Sequence, residues 1–209
     1  VKSKIKTFLA NRGLELSKEQ LQKLQEYKNL LYKVSGRLNL LSAKDRERIE
    51  DLHFSDSLAA ATMISKAASV ADWGSGGGLP GIPLSIARPD IQMTLVESRT
   101  NKAGFLMRAK RELNLTNIRV FAGRGEDIQN TYDLITVRAV GKLSKLIPII
   151  LNKLSENGQI LCYKGPGLEK ELIEADGILK ELQISFTEDK VTLPQGESRR
   201  YLLLQKTTV

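Results

Sequence analysis

The sequence predicts an α/β fold, with a mostly parallel sheet of seven strands covered by helices on both faces and a helical segment ahead of it. Three observations predict it. From residue 69 onward, apolar runs of strand length alternate with amphipathic runs of helix length. A glycine-rich stretch, Asp72-Trp73-Gly74-Ser75-Gly76-Gly77-Gly78-Leu79-Pro80-Gly81, joins the first strand to the helix after it. The first third of the chain carries apolar residues at helical spacing only. Strands joined through helices pair in parallel, because a crossover returns the chain to the same end of the sheet.

Ile5, Phe8 and Leu9 form a short apolar helix face that Gly13 ends. Ser17 with Gln20 makes a capping box, and Leu21, Leu24, Tyr27, Leu31 and Val34 follow at helical spacing as far as Gly36. A loop, Arg37-Leu38-Asn39-Leu40-Leu41-Ser42, leads to further helix from Asp45 to Ser65. Strands are expected at Ser69–Trp73, Met93–Glu97, Ile118–Phe121, Asp133–Val137, Gln159–Tyr163, Ile184–Leu193 and Tyr201–Gln205. Helices are expected between them at Pro80–Ala87, Thr100–Leu113, Leu143–Leu154 and Leu168–Leu182. No helix separates the last two strands, so a turn through Pro194-Gln195-Gly196 makes one of them antiparallel. With no repeat and no low-complexity linker, the expected division is an N-terminal helical extension (1–66) on a sheet domain (67–209).

The 209 residues are enough for one α/β domain with its own core. Cys162 is the single cysteine, which excludes an internal disulfide framework and fits a reducing, cytoplasmic setting. No apolar run reaches membrane-spanning length, and the basic start lacks the apolar core of a secretory signal. The formal net charge is +8, and residues 1–50 hold 12 Lys and Arg against 6 Asp and Glu. Such an excess favours a polyanionic partner, RNA or DNA.

The glycine run carries the chemistry. Without side chains there, backbone can approach a ligand closely, and a following helix aims free N–H groups at the same spot. That is a turn for a nucleoside-containing cofactor. Gly76-x-Gly78-x-x-Gly81 spells the dinucleotide fingerprint, so a nicotinamide or flavin enzyme is one reading. Three features favour S-adenosylmethionine instead. Asp72 offers a carboxylate to a cationic or amine-bearing ligand, and Pro80 leaves few N–H groups for a pyrophosphate. A further element, Arg124-Gly125-Glu126-Asp127, follows the third strand, where an adenine is held in methyltransferase folds. Glu97 ends the second strand, placed to accept hydrogen bonds from ribose hydroxyls of either cofactor.

Five segments together resemble one family. They are Gly74-Ser75-Gly76-x-Gly78-Leu79-Pro80-Gly81-Ile82-Pro83-Leu84, Leu95-Val96-Glu97-Ser98, Asn114-Leu115-x-Asn117-Ile118, Arg124-x-Glu126 and Arg138-Ala139. With Asn39-Leu40, His53-x-x-Asp56-Ser57, Tyr163-Lys164-Gly165 and Arg199-Arg200-Tyr201, they are similar to the bacterial small-subunit rRNA methyltransferase G family, also called glucose-inhibited division protein B. The likeness covers nearly the whole chain. It implies a Rossmann-like class I S-adenosylmethionine-dependent methyltransferase that modifies N7 of one guanine in 16S rRNA near the decoding site. Carried onto this sequence, cofactor contacts fall on Gly74, Leu79, Gly125, Glu126 and Arg138, with Glu97 at the ribose and Asp72, Gly76 and Gly78 in the same turn. Three residues depart from the family pattern: Trp73 for a small aliphatic, Glu97 for Asp, and Leu41 for Thr.

The residues agree by elimination. Methylation of an exocyclic amine calls for an Asn/Asp-Pro-Pro-aromatic element after the fourth strand, and this chain has Val137-Arg138-Ala139-Val140. Methylation at pyrimidine C5 calls for a cysteine nucleophile, and Cys162 lies in the apolar run Ile160-Leu161-Cys162-Tyr163. Guanine N7 has a free lone pair and loses no proton, so no residue is assigned as acid or base. Arg138 and Lys164 are the expected positioning groups, and Asn39, His53, Lys164, Arg199 and Arg200 the expected RNA contacts. No Cys, His and acid cluster has metal-ligand spacing, so no metal is expected; 16S rRNA or the small ribosomal subunit is the expected partner of a monomer.

Three other readings compete. A same-fold methyltransferase acting on a small molecule or protein has no use for the basic N-terminal region. An NAD-dependent oxidoreductase lacks a Tyr-x-x-x-Lys pair beyond the fourth strand. A non-catalytic RNA-binding module leaves the cofactor crevice idle.

Overall fold

The computed structural model describes residues 3–41, 47–66 and 68–207. Helix α1 (Ser3–Ala10) buries Ile5 and Leu9 and closes in a turn where Gly13 takes φ of 75°. Helix α2 (Lys18–Leu38) begins with the expected box: the Ser17 hydroxyl accepts from the Gln20 N–H, and the Gln20 side chain accepts from the Ser17 N–H. It runs two residues past Gly36 and ends at Asn39, whose φ of 48° is the left-handed C-cap geometry that Asn tolerates.

Of the helix expected over Asp45–Ser65, residues 45 and 46 lie outside the described residues. The rest is helical but broken, into a π-turn (Ile49–Phe54), helix α3 (Ser55–Ala59) and a 3₁₀ turn (Ala61–Met63). Buried hydroxyls accompany the break. Ser57 Oγ donates to the His53 carbonyl at 2.7 Å and Ser55 Oγ to that of Glu50 at 3.3 Å. Side chains that bond nearby carbonyls in this way compete with a regular helix.

The strands are β1 (Ser69–Trp73), β2 (Gln92–Glu97), β3 (Ile118–Ala122), β4 (Tyr132–Arg138), β5 (Leu154–Lys164), β6 (Ile184–Thr192) and β7 (Ser198–Lys206). They form one sheet in the order β3-β2-β1-β4-β5-β7-β6. β1 to β5 run parallel, and β7 lies antiparallel to both neighbours. The connecting helices are α4 (Gly81–Ala87), α5 (Thr100–Glu112), α6 (Leu143–Leu151) and α7 (Leu168–Glu181).

β5 starts five residues ahead of its expected position, and α6 stops short of Leu154 accordingly. Leu154 pairs with Tyr132, after which the register shifts through polar residues before Gln159 resumes opposite Leu134. Gly158 permits this, since a Cβ there would lie 2.7 Å from the Tyr132 carbonyl oxygen.

Each face of the sheet has its own core. Ile5, Leu24 and Tyr27 pack in one cluster with Val70, Leu95 and Tyr201, which places α1 and α2 against the sheet. On the other face, Ala71, Ile135 and Cys162 pack with Leu143 and Ile147 of α6 and Ala175 of α7. With both faces covered, functional groups gather at the carboxyl ends of the parallel strands, where the chain order reverses beside β1.

Candidate active site

The glycine turn leaves β1 at that reversal. Gly74, Gly76 and Gly78 take φ of 73°, 56° and 90°, a backbone path that L side chains rarely follow. The N–H groups of Gly74 and Ser75 both donate to the Val96 carbonyl, at 3.0 and 2.9 Å, which ties the turn to β2.

Asp72, expected to face an amine, is turned inward and is 1% exposed. Its Oδ1 accepts from the Thr136 hydroxyl at 2.9 Å and its Oδ2 from the Gly81 N–H at 3.2 Å. Burial pushes its pKa up to about 6, although the hydrogen bonds and the nearby Arg138 oppose the rise. Asp72 is therefore a clamp on the turn rather than a group lining the crevice.

That clamp bears on the choice of cofactor. Pro80 and Pro83 have no N–H, the Gly81 N–H is held by Asp72, and the Ile82 N–H donates to the Gly78 carbonyl at 2.7 Å. The start of α4 thus has no spare donor for a pyrophosphate, which a dinucleotide would need.

Glu97 is buried too. Its Oε2 accepts from the Gly76 N–H at 2.9 Å and its Oε1 from the Arg99 N–H at 2.8 Å, so it braces the turn and the entry to α5. Leu79 is half-buried and packs against the N-terminal core, while Gly78 sits between Ile82 and the Tyr27 hydroxyl.

A cleft of about 320 Å³ opens beside the turn. Of the residues expected at the cofactor, Gly74, Gly125 and Glu126 line it, together with Trp73 and Arg124 from the same two elements and with Val140, which the sequence had not pointed to. Gly125 lies flat on the Trp73 indole, where a Cβ would come within 2.1 Å of the ring. Val140 closes on Gly74 from a loop in which Ala139 and Gly141 take φ of 56° and 68°. The signal of Val140 in the sequence was position alone: it lies just past the end of the parallel strand β4.

The other expected residues divide into two groups. Arg138 and Arg199 converge on Asp56, a buried carboxylate in α3, and His53 joins them through Arg138. Arg138 Nε lies 3.4 Å from Asp56 Oδ2, and Arg199 Nε lies 3.6 Å from Asp56 Oδ1. The Tyr201 hydroxyl donates to Asp56 Oδ1 at 3.0 Å. Arg138 Nη2 donates to His53 Nδ1; a guanidinium can only donate, so this bond fixes the imidazole tautomer with its proton on Nε2. Arg138 Nη1 is buried with no hydrogen-bond partner.

Lys164 and Arg200, neighbours across β5 and β7, are the second group. They were expected to offer charge to RNA, and in the structure both are engaged by carboxylates. Lys164 Nζ lies 2.7 Å from Glu171 Oε1, and that same oxygen accepts from the Leu143 N–H at the start of α6. Arg200 grips Glu188 through two nitrogens, Nη2 to Oε2 at 2.9 Å, and reaches Glu169 through Nη1. Its side chain is 11% exposed, and the two carboxylates raise its pKa above the ordinary arginine value. Asn39 is exposed, one residue ahead of Leu40, whose Cβ would lie 3.5 Å from a Cβ built on Gly77.

Among the described residues, no group of three or more His, Cys, Asp and Glu could hold a metal ion, and no helix is long and apolar enough to cross a membrane.

Residues 20–200 match the family described as rRNA small subunit methyltransferase G. A ribosomal RNA small subunit methyltransferase G of Sorangium cellulosum is 39% identical over 197 residues, covering 90% of this chain and 82% of that protein. The protein of the same name from Chromobacterium violaceum is 34% identical over 205 residues, covering 96% and 95%. Among solved structures, the O-methyltransferase TomG of Streptomyces achromogenes, in complex with SAM, shares the fold with a TM-score of 0.61 at 13% identity, covering 97% of this chain and 96% of that one. A ribosomal protein L11 methylase from Lactobacillus delbrueckii subsp. bulgaricus gives 0.58 at 17% identity, covering 74% and 79%.

Proposed function

The chain belongs to the rRNA small subunit methyltransferase G family, and from that premise we propose how its crevice carries out the reaction. The enzyme transfers a methyl group from S-adenosylmethionine to a guanine of 16S rRNA. We assign the methyl to N7 of a guanine near the decoding site.

The residues present fit the cofactor, and the observation that carries this assignment is the partnerless Arg138 Nη1, a buried donor with an edge to spare. Arg138 would hold the amino-acid carboxylate. The cleft between Trp73, Gly125 and Glu126 would hold the nucleoside, with Glu97 behind the turn at the ribose and Gly74 giving close approach to backbone. S-adenosylmethionine supplies, when bound, an electrophilic methyl group.

The chain's own part is alignment. Near-ideal orientation is worth up to about 7–11 kcal/mol, and N7 presents its lone pair without losing a proton. The polar groups nearby agree with a reaction that needs no base. His53 is committed to Arg138, and burial pushes the Cys162 thiol up to about 12, far from a nucleophilic thiolate at neutral pH. Alignment of the guanine falls to the mouth of the cleft. Arg124 lines the cleft and is exposed, as is Arg99, next in sequence to the lining residue Ser98, and these two replace Lys164 and Arg200 as our candidates for phosphate contacts.

We read residues 1–66 as a helical extension and 67–209 as the methyltransferase domain of a cytoplasmic monomer. Methylation of 16S rRNA from a strain lacking this gene, with tritiated cofactor and mapping of the modified nucleotide, tests the reading. Label on N7 of one guanine is expected; no incorporation, or label on another atom, rejects it.

A further inference from the structure

We propose that Asp56 is a positioning residue of the cofactor site. It aims the Arg138 guanidinium, and the C-terminal hairpin locks it in place through Tyr201. The proposal rests on the reading that Arg138 holds the cofactor's carboxylate.

Arg138 ends β4 in a half-buried position, where a guanidinium needs a fixed counter-charge to stay ordered. Asp56 is that counter-charge. It is 3% exposed, and its Oδ2 faces Arg138 Nε at 3.4 Å. The His53 ring takes Nη2. A planar guanidinium held at Nε and Nη2 has one orientation, and Nη1 is the edge left for a ligand.

Asp56 is itself held from the far side of the sheet order. Tyr201 of β7 donates to its backbone carbonyl at 3.1 Å and to its carboxylate at 3.0 Å. The Tyr163 ring meets the Tyr201 ring edge-on at 5.3 Å, and the Tyr163 hydroxyl donates to the Ser57 carbonyl at 3.1 Å. Two tyrosines of adjacent strands therefore pin α3 against the sheet. Arg199 lies 3.6 Å from the same carboxylate, so two guanidinium groups share one acid.

A merely structural Asp56 would disturb every ligand alike, whereas a positioning Asp56 disturbs only the part that Arg138 touches. Two probes separate these cases in the full-length protein. S-adenosylhomocysteine carries the carboxylate, and 5′-methylthioadenosine carries the nucleoside and sulfur without it. Removing a charge-assisted hydrogen bond costs about tenfold in affinity. Arg138→Gln is expected to lose that factor for S-adenosylhomocysteine and nothing for methylthioadenosine; an unchanged affinity for both overturns the reading of Arg138 itself.

Given that loss, Asp56→Asn is expected to weaken S-adenosylhomocysteine about five- to tenfold, to leave methylthioadenosine within about twofold, and to add nothing to Arg138→Gln in the double variant. Equal loss of both ligands, no loss of either, or multiplicative effects in the double variant overturns the role of Asp56 alone. Should Asp56→Asn fail to fold, Tyr201→Phe decides, since it deletes one hydroxyl from the same chain of contacts. A selective loss of about two- to fourfold supports the proposal, and no selective loss overturns it.

Discussion

The Tyr27 hydroxyl, from α2, donates to the Gly77 carbonyl at 2.5 Å, so a helix of the N-terminal segment holds the glycine turn that the sheet presents. The Tyr27 ring stacks on Phe54 with centroids 5.7 Å apart, which ties the π-turn carrying His53 into the same unit. Removing the hydroxyl as Tyr27→Phe leaves the ring packed and the Gly77 carbonyl without this donor. Urea unfolding is expected to show a loss of about 1 kcal/mol, and titration with S-adenosylhomocysteine a several-fold weaker affinity. An unchanged affinity would mean that β1 and β2 alone hold the turn.

The cleft wall has no room to grow. Gly125→Ala would drive a methyl into the Trp73 ring at 2.1 Å, so the variant is expected to bind S-adenosylhomocysteine at least about tenfold more weakly. Adding Trp73→Leu should restore most of that affinity by vacating the space. If the double variant binds no better than Gly125→Ala alone, the contact is not the cause.

Asp72 makes stability depend on pH in an unusual direction. Its folded pKa of about 6 stands above the ordinary 3.8, so between those values the folded state binds more protons than the unfolded state. Its contribution is fully present below about pH 4 and is lost as pH rises through 6. Urea unfolding of wild type and Asp72→Asn at pH 4, 5, 6 and 7 isolates it. The wild type should lose up to about 3 kcal/mol relative to the variant across that window, and a difference that is flat with pH would contradict the burial argument.

Arg124 and Arg200 should separate in an RNA-binding assay. Arg124→Ala removes an exposed cation at the cleft mouth and should reduce the slope of log affinity against log salt by about one, with Tm unchanged. Arg200→Ala abandons Glu188 and Glu169 and should lower Tm while keeping the slope. The reverse pattern would return Arg200 to the RNA face.

What could be read in the sequence was whatever is decided locally. The Ser17–Gln20 cap is a contact three residues apart, and the glycine turn and Arg124–Glu126 announce themselves by residue types that only a close backbone approach requires. The π-turn at Ile49–Phe54 escaped because its apolar spacing differs little from an α-helix. The start of β5 escaped because its first residues are the polar side of a register shift. Side-chain engagement was hidden for a different reason. Asp72 turns inward because Thr136, 64 residues later, reaches it across the sheet, and Arg200 is neutralised by acids that α7 and β6 bring in. Topology alone creates such partners.

The place of β7, between β5 and β6, has a consequence for synthesis. β6 is made first, yet it joins the sheet only through β7, so it has no ladder partner until that later strand pairs with β5. Tyr201 rides on that later strand, and with it comes the pin for Asp56. On the proposed role of Asp56, the cofactor site is complete only once that strand has paired.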